Sequence, residues 1–415
     1  MPTWEFINGV TAFRSFAVQN ETVSMVMAGH MHISFPSPPD DLRMQVKVFS
    51  TNTWANLYVR ITGYSFTSPD VVITSRKNAA AGAMTVTVTG SGVFQDTVNS
   101  DSLVSGDLIN YRMVTPNNAG SISLSILGST LQNTGSNATL CVSAGEQSAL
   151  GAGLTRFIPY NSVLEQGAYW TTEADIQYTL RRATTFSNLR VWVQDNSLTT
   201  ATTLGLQVNA LAVNQSVSIP NASTGAFEDT TNTDAVAVAD ELNYKIVTGA
   251  TNTIALTMLQ MAHTSVGREM LAAQTGQGVN HTADNYMIAE SENATTNLTQ
   301  TTSQIAARAA FTARNLFVNV KTHGATNGVD FFLQQNSANS ALTVNVPDST
   351  TGLFEDTTNS VSIAVTDLYN YFMDMVTPAA GITPTIIGME QGPVDAISGG
   401  GRGYPGQMHN RRPRA

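Results

Sequence analysis

The feature that most constrains this chain is a stretch that occurs three times. "GVFQDTVNSDSLVSGDLINYRMVT" from Gly92, "TGAFEDTTNTDAVAVADELNYKIVTG" over 224–249 and "GLFEDTTNSVSIAVTDLYNYFMDMVT" from Gly352 share one skeleton. Phe94, Phe227 and Phe354 stand in register, and two residues on come Asp96, Asp229 and Asp356. Eleven residues beyond these lie Asp107, Asp240 and Asp367, and four further on Tyr111, Tyr244 and Tyr371. Upstream, "WANLYVRI", "FSNLRVWV" and "ARNLFVNV" place Asn56, Asn188 and Asn315 at 38, 39 and 39 residues before the phenylalanine. Successive phenylalanines are 133 and 127 residues apart. Such a period exceeds that of solenoid repeats, and each copy is long enough to bury its own core. Three tandem domains are the expectation for the 415 residues.

Within each copy, apolar residues alternate with polar ones: Leu57, Val59 and Ile61 in the first, Leu189, Val191 and Val193 in the second. Period two means strands with one face buried. Between these runs stand clusters of Asn, Asp, Gly, Ser and Thr, the residues of tight turns. About eight short strands per copy and no sustained helical stripe predict an all-β chain of three tandem β-sandwich, jelly-roll-like domains. The expected boundaries are an N-terminal arm over 1–23, sandwiches over 24–130, 131–262 and 263–392, and a flexible basic tail over 393–415. Around "GREMLAAQ" a short helix is expected.

Glu228 and Asp229 stand side by side, as an acid/base pair would. Neighbours in a strand point to opposite faces, so the two carboxylates cannot serve one reacting atom if Phe227 is anchored in a core. The first copy has Gln95 in place of Glu228, whereas the aspartate is present in all three. Asp96, Asp229 and Asp356 therefore read as turn-fixing residues at a strand end that accept backbone N–H bonds. Asp107, Asp240 and Asp367 open the next strand. Tyr111, Tyr244 and Tyr371 share that strand's face, each expected to pack its ring and bond its hydroxyl to backbone. Two aspartates per copy are too few oxygens for calcium. His30 and His32 lie two apart with no third ligand in sight. The glycine-rich "GAGLTR" and "GGGRGYPG" read as loops, and no nucleophile elbow is present. Neither a cofactor, a metal nor an enzymatic activity is expected.

A net charge of −10 argues against a nucleic-acid groove, and no apolar run approaches a membrane span. The start has no secretory signal pattern and Cys141 is the sole cysteine, which points to synthesis in a cytoplasm. Trp4, Phe6, Phe13 and Phe16 crowd the first sixteen residues and are the candidate docking residues, since such aromatics demand burial. The tail "SGGGRGYPGQMHNRRPRA" carries four arginines and no acid.

The pattern from "FSNLRVWV" through "TTATTLGLQVN" to "AFEDTTNTDAVAVADELNYKIVTG" resembles repeats of tailed-bacteriophage structural proteins. In outline it is similar to the jelly rolls of phage head-decoration (cement) and fibre proteins. The resemblance spans residues ~30–390 in all three copies. It implies a virion part made in the host bacterial cytoplasm and carried on the outer head surface. The implied partner is the major capsid protein, and the implied assembly a homotrimer with its first domain against the shell. The alternative is a tail fibre or receptor-binding protein that recognises a host surface glycan.

Overall fold

A computed structural model describes residues 3–9, 14–17, 22–25, 45–67, 70–116, 118, 120–133, 139–160, 169–264, 268–272, 282–287, 289, 299–308, 310–324, 326–375 and 381–392. The protein is all-β, with α1 (Gln300–Ser303) a single helical turn. In the first repeat, or unit, run β1 (Thr3–Gly9), β2 (Arg14–Ala17), β3 (Thr22–Met25), β4 (Val46–Lys47), β5 (Asn52–Tyr64), β6 (Val71–Lys77), β7 (Ala80–Val88), β8 (Gly92–Leu103), β9 (Leu108–Val114) and β10 (Ser121–Asn133). The second holds β11 (Thr139–Gly151), β12 (Thr155–Pro159), β13 (Tyr178–Thr179), β14 (Thr184–Asn196), β15 (Thr202–Val208), β16 (Leu211–Ile219), β17 (Gly225–Val236), β18 (Glu241–Val247) and β19 (Thr253–His263). The third holds β20 (Arg268–Ala272), β21 (Asn285–Met287), β22 (Ile305–Ala306), β23 (Phe311–His323), β24 (Val329–Gln335), β25 (Ala338–Val346), β26 (Gly352–Ile363), β27 (Leu368–Met375) and β28 (Ile382–Gly392).

These strands form six antiparallel sheets of two recurring orders. One is β1-β10-β5-β8, repeated as β11-β19-β14-β17 and β20-β28-β23-β26. The other is β3-β9-β6-β7, repeated as β12-β18-β15-β16 and β21-β27-β24-β25, with β4, β13 and β22 each added to its second strand. The two sheets of a unit share one buried apolar cluster. In the second unit, Leu189 and Val191 of one sheet meet Leu204, Leu206, Tyr244 and Ile246 of the other. The alternation of Leu, Val and Ile with Thr, Ser and Asn places each apolar residue on the shared side.

Two elements differ from expectation. Residues 3–9 belong to the first sheet, because β1 pairs with β10 from Thr3↔Asn133 to Gly9↔Leu127, as β11 pairs with β19. The segment "GREMLAAQ" contains β20, paired with β28 from Arg268↔Gln391 to Ala272↔Ile387, where a helix was expected. Its helix formers carry only a weak local preference, and the open edge of β28 supplies backbone partners that outweigh it.

A third difference concerns burial. β19 and β28 are enclosed on both faces over almost their whole length, whereas a sandwich strand facing water alternates. Neighbouring units supply the second cover. Tyr58 and Ile126 of the first unit lie in the core of the third, Phe317 and Ile386 of the third lie in the core of the second, and Met258 of the second lies in the core of the first. These are equivalent positions: Tyr58 and Phe317 both stand two residues after the repeated asparagine, and Ile126, Met258 and Ile386 pair with Arg60, Trp192 and Asn319, four residues after it. Each unit thus touches both of the others through the same two surfaces, and the contacts close a cycle.

Each unit is also entered and left at one end. β1, β11 and β20 begin beside the final residues of β10, β19 and β28, and beside the first residues of β5, β14 and β23. The six steps from Asn133 to Thr139 span at most ~20 Å. Successive units therefore start close together.

If the cycle of contacts holds the units, the connectors are dispensable once folding is complete. Protease sites inserted between Asn133 and Thr139 and between Thr264 and Arg268 should yield three fragments that co-elute as one particle after cleavage. Elution as separate fragments would show that the contacts are too weak to hold it.

Candidate functional site

The repeated aspartates sit in the middle of a strand. Leu57↔Asp96 and Ala55↔Ser100 are successive pairs between β5 and β8, so the intervening residues of β8 bulge outward, and the other units repeat this. Opposite each bulge lies the repeated asparagine, Asn56, Asn188 or Asn315, with φ of 58°, 56° and 51°. Asparagine is one of the few residues that tolerates this left-handed backbone.

The aspartate fills the bulge. Asp229 Oδ1 accepts the backbone N–H of Thr231 at 3.2 Å and of Asn232 at 3.1 Å, and its Oδ2 accepts the Asn232 amide at 2.9 Å. Oδ2 also accepts the N–H of Ser216, which belongs to the unit's other sheet. Asp96 and Asp356 do the same with Asn99 and Asn359 and with the N–H of Thr85 and Thr343. Each aspartate therefore closes a bulge and ties one sheet to the other. Burial pushes its carboxyl pKa upward, but the asparagine amide and the converging N–H groups outweigh that and hold Asp229 and Asp356 down at about 2. The expectation of backbone N–H acceptance is met, while the position is a bulge inside a strand where a strand end was expected.

The second aspartate fastens two turns together. Asn78 Nδ2 donates to Asp107 Oδ1 at 2.7 Å, and Asp107 Oδ2 accepts the Val104 N–H at 2.8 Å. Asn209 with Asp240, and Asn336 with Asp367, repeat the contact at 2.8 Å. The asparagines start tight hairpin turns whose two central residues both have positive φ. Tyr111, Tyr244 and Tyr371 point away from these turns into the cores and are almost fully enclosed. The Tyr111 hydroxyl donates to the Ser129 side chain at 2.7 Å, where a backbone partner was expected. Phe94, Phe227 and Phe354 are only partly buried at the rim of each cluster, so the core anchoring on which the separation of Glu228 from Asp229 was conditioned is a packing against the core's edge. Leu57, Leu189 and Leu316 are fully enclosed.

Glu228 and Asp229 thus have unrelated partners. Glu228 faces the first unit, where Lys47 Nζ lies 2.7 Å from its carboxylate. At the equivalent positions, Glu355 pairs with Arg181 of the second unit at 3.0 Å, and Gln95 accepts from Arg308 of the third at 2.7 Å. Arg181 also stacks on Phe317, its guanidinium carbon 4.5 Å from the ring centre, and Arg308 stacks on Tyr58 at 4.0 Å. One guanidinium bridges an aromatic face and a polar acceptor across each of these two junctions. At the third junction the residue types exchange sides. Arg190 takes the aromatic position and reaches the Gln45 carbonyl at 3.3 Å, while Phe49 stands where the other units have arginine. Arg182 joins Glu390, and Lys321 pairs with Asp175 at 2.9 Å, both between the second and third units.

β1 places Trp4 and Phe6 opposite Gln132 and Thr130, and β2 places Phe16 opposite Ile122. Phe13, His30, His32 and the tail lie outside the described residues. "GAGLTR" spans the turn between β11 and β12, with Gly153 at φ +64°. Among the described residues, no group of three or more His, Cys, Asp or Glu is placed to hold a metal, and no helix is long and apolar enough to cross a membrane. No family model matches the chain, and no curated protein matches it.

Three measurements check this geometry. Phe317→Ala should cost about 3–5 kcal/mol in urea unfolding although Phe317 faces away from its own unit's core, and a loss below about 1 would mean that the junction is open. Phe227→Ala should cost less than Leu189→Ala, about 1–2 against about 2–5 kcal/mol. The aspartates' pKa values are depressed in the fold, so their stabilisation is present above about pH 4 and is lost as pH falls towards 2. Melting temperature should fall through that window, and Asp229→Asn should reduce the slope.

Proposed function

We propose that this protein is a structural component of a bacteriophage virion, a decoration protein on the outer head surface that binds the major capsid protein. Its units are three jelly-roll β-sandwiches, each pairing a sheet of the β11-β19-β14-β17 order with one of the β12-β18-β15-β16 order. The observation that carries the proposal is where the chemistry of the repeated residues goes. The side chains that recur at fixed spacing, Asp229 and Asp240 with their counterparts, are occupied by their own backbone and by neighbouring asparagines. The charged residues beside them, such as Glu228 and Glu355, are occupied by the next unit. A carboxylate whose lone pairs are filled in this way holds a shape and does not transfer a proton. An acidic, threefold-repeated body fits the sequence resemblance to head-decoration proteins.

The two ends of the chain enter this reading differently from the first expectation. With units closed into a cycle, no unit is stacked beyond another, so the whole body sits at one level on the shell. Removing residues 1–20 would delete β1 and disturb the first sheet, so location is better tested with the chain intact. Particles carrying a gold-labelled antibody to this protein should show label over the head. Label confined to the tail tip would replace decoration with receptor binding, whose ligand would be a host surface glycan.

A further inference from the structure

Units related by a head-to-tail contact make a closed ring when the rotation between them completes a turn, and an open filament when it does not. Here three copies suffice. The outer face of the first unit presents Tyr58 and Gln95 to the third, the third presents Phe317 and Glu355 to the second, and the second presents Arg190 and Glu228 to the first. Every unit gives this face once and receives it once. Among the described residues, no donor face and no acceptor face of this kind is left over for another copy of the chain. Among the described residues each unit repeats two further exposed features at its opposite ends: the hairpin turns at Asn78, Asn209 and Asn336 at one end, and at the other Val93, Ala226 and Leu353, one position before each repeated phenylalanine.

We infer that one chain takes the place of a homotrimer, and that the surface it fits is a threefold axis of a protein shell, bound with one chain per axis. The head location rests on the function proposed above, whereas the closure of the ring does not. A threefold-repeated surface on a threefold partner engages three equivalent contacts at once, so three weak contacts add into a firm attachment. A partner without that symmetry would meet one unit at a time. The resemblance implied a homotrimer, and the cycle satisfies the same geometry with a third of the molecules.

The test has two parts. Light scattering of the purified full chain over a hundredfold concentration range should return the mass of one chain, 44.2 kDa. A threefold mass would overturn the replacement of a homotrimer by one chain, because each ring would then be one subunit of a larger assembly. A reconstruction of intact heads should place one chain on a threefold axis. Three chains around an axis, or a single chain at the centre of a capsomer, would overturn the stoichiometry and the site. Absence of the chain from heads would overturn the proposed function and the axis with it, while leaving the solution mass to judge whether one chain is the whole assembly.

Discussion

The second face of β19 and β28 has to be covered. A sheet in a two-layer sandwich hides one side against its partner and offers the other to water, which is why sandwich strands alternate. These strands carry Met258 and Ile386 on the side that alternation would give to solvent, and β10 carries Ile126 there. Exposed, the three sites would form apolar patches at the centre of each sheet. Each is instead inserted into the core of the adjacent unit, so the cores are continuous from unit to unit although the strand orders repeat independently. The polar contacts follow from that apolar seam. Arg181 and Arg308 can bridge an aromatic ring and an acceptor because the seam has already removed much of the surrounding water, which strengthens both interactions.

The aspartates act one level below, within the unit. A bulge leaves backbone N–H groups without strand partners, and a buried donor left unmet costs about as much as a lost hydrogen bond. Asp96, Asp229 and Asp356 meet those donors, and through Thr85, Ser216 and Thr343 they hold the edge of the facing sheet. Strand alternation just before the bulge turns Gln95, Glu228 and Glu355 outward to the junction while the aspartate next door stays inside. The spacing of the motif therefore serves two surfaces at once, an inner one that ties a unit's two sheets together and an outer one that meets the next unit.

Much of the local architecture was legible in the sequence, because strand period and turn composition are local signals. The separation of Glu228 from Asp229 followed from the two-residue period alone. The strand content of β20 was hidden, since Arg, Glu, Met, Leu and Ala favour helix and only the edge of β28 reverses that preference. The role of Asn78, Asn209 and Asn336 could have been found: in each unit an asparagine followed by a small residue separates two strand-like runs, which is a hairpin signal. The left-handed backbone at Asn56, Asn188 and Asn315 was marked by residue type but not by any turn context. The junctions were harder. Tyr58, Arg190 and Phe317 occupy one position with three different side chains, so a search for repeated residues passes over them. The visible trace was the run "TIALTMLQMAH", whose apolar character is too continuous for a strand with a wet face.

The exchange of residue types at one junction has a wider meaning. In an assembly of identical subunits, any change at a contact is made at every contact simultaneously, so a substitution must suit all of them or be lost. A single polypeptide is free of that rule. Its three seams are written by different codons, and the pairing of Arg190 with the Gln45 carbonyl shows one seam rebuilt with its guanidinium on the opposite side while Lys47 keeps the original one. The body can thus keep a threefold-repeated exterior while its three buried seams differ in chemistry, so that each unit is matched to its own neighbour and the order of the units round the ring is set.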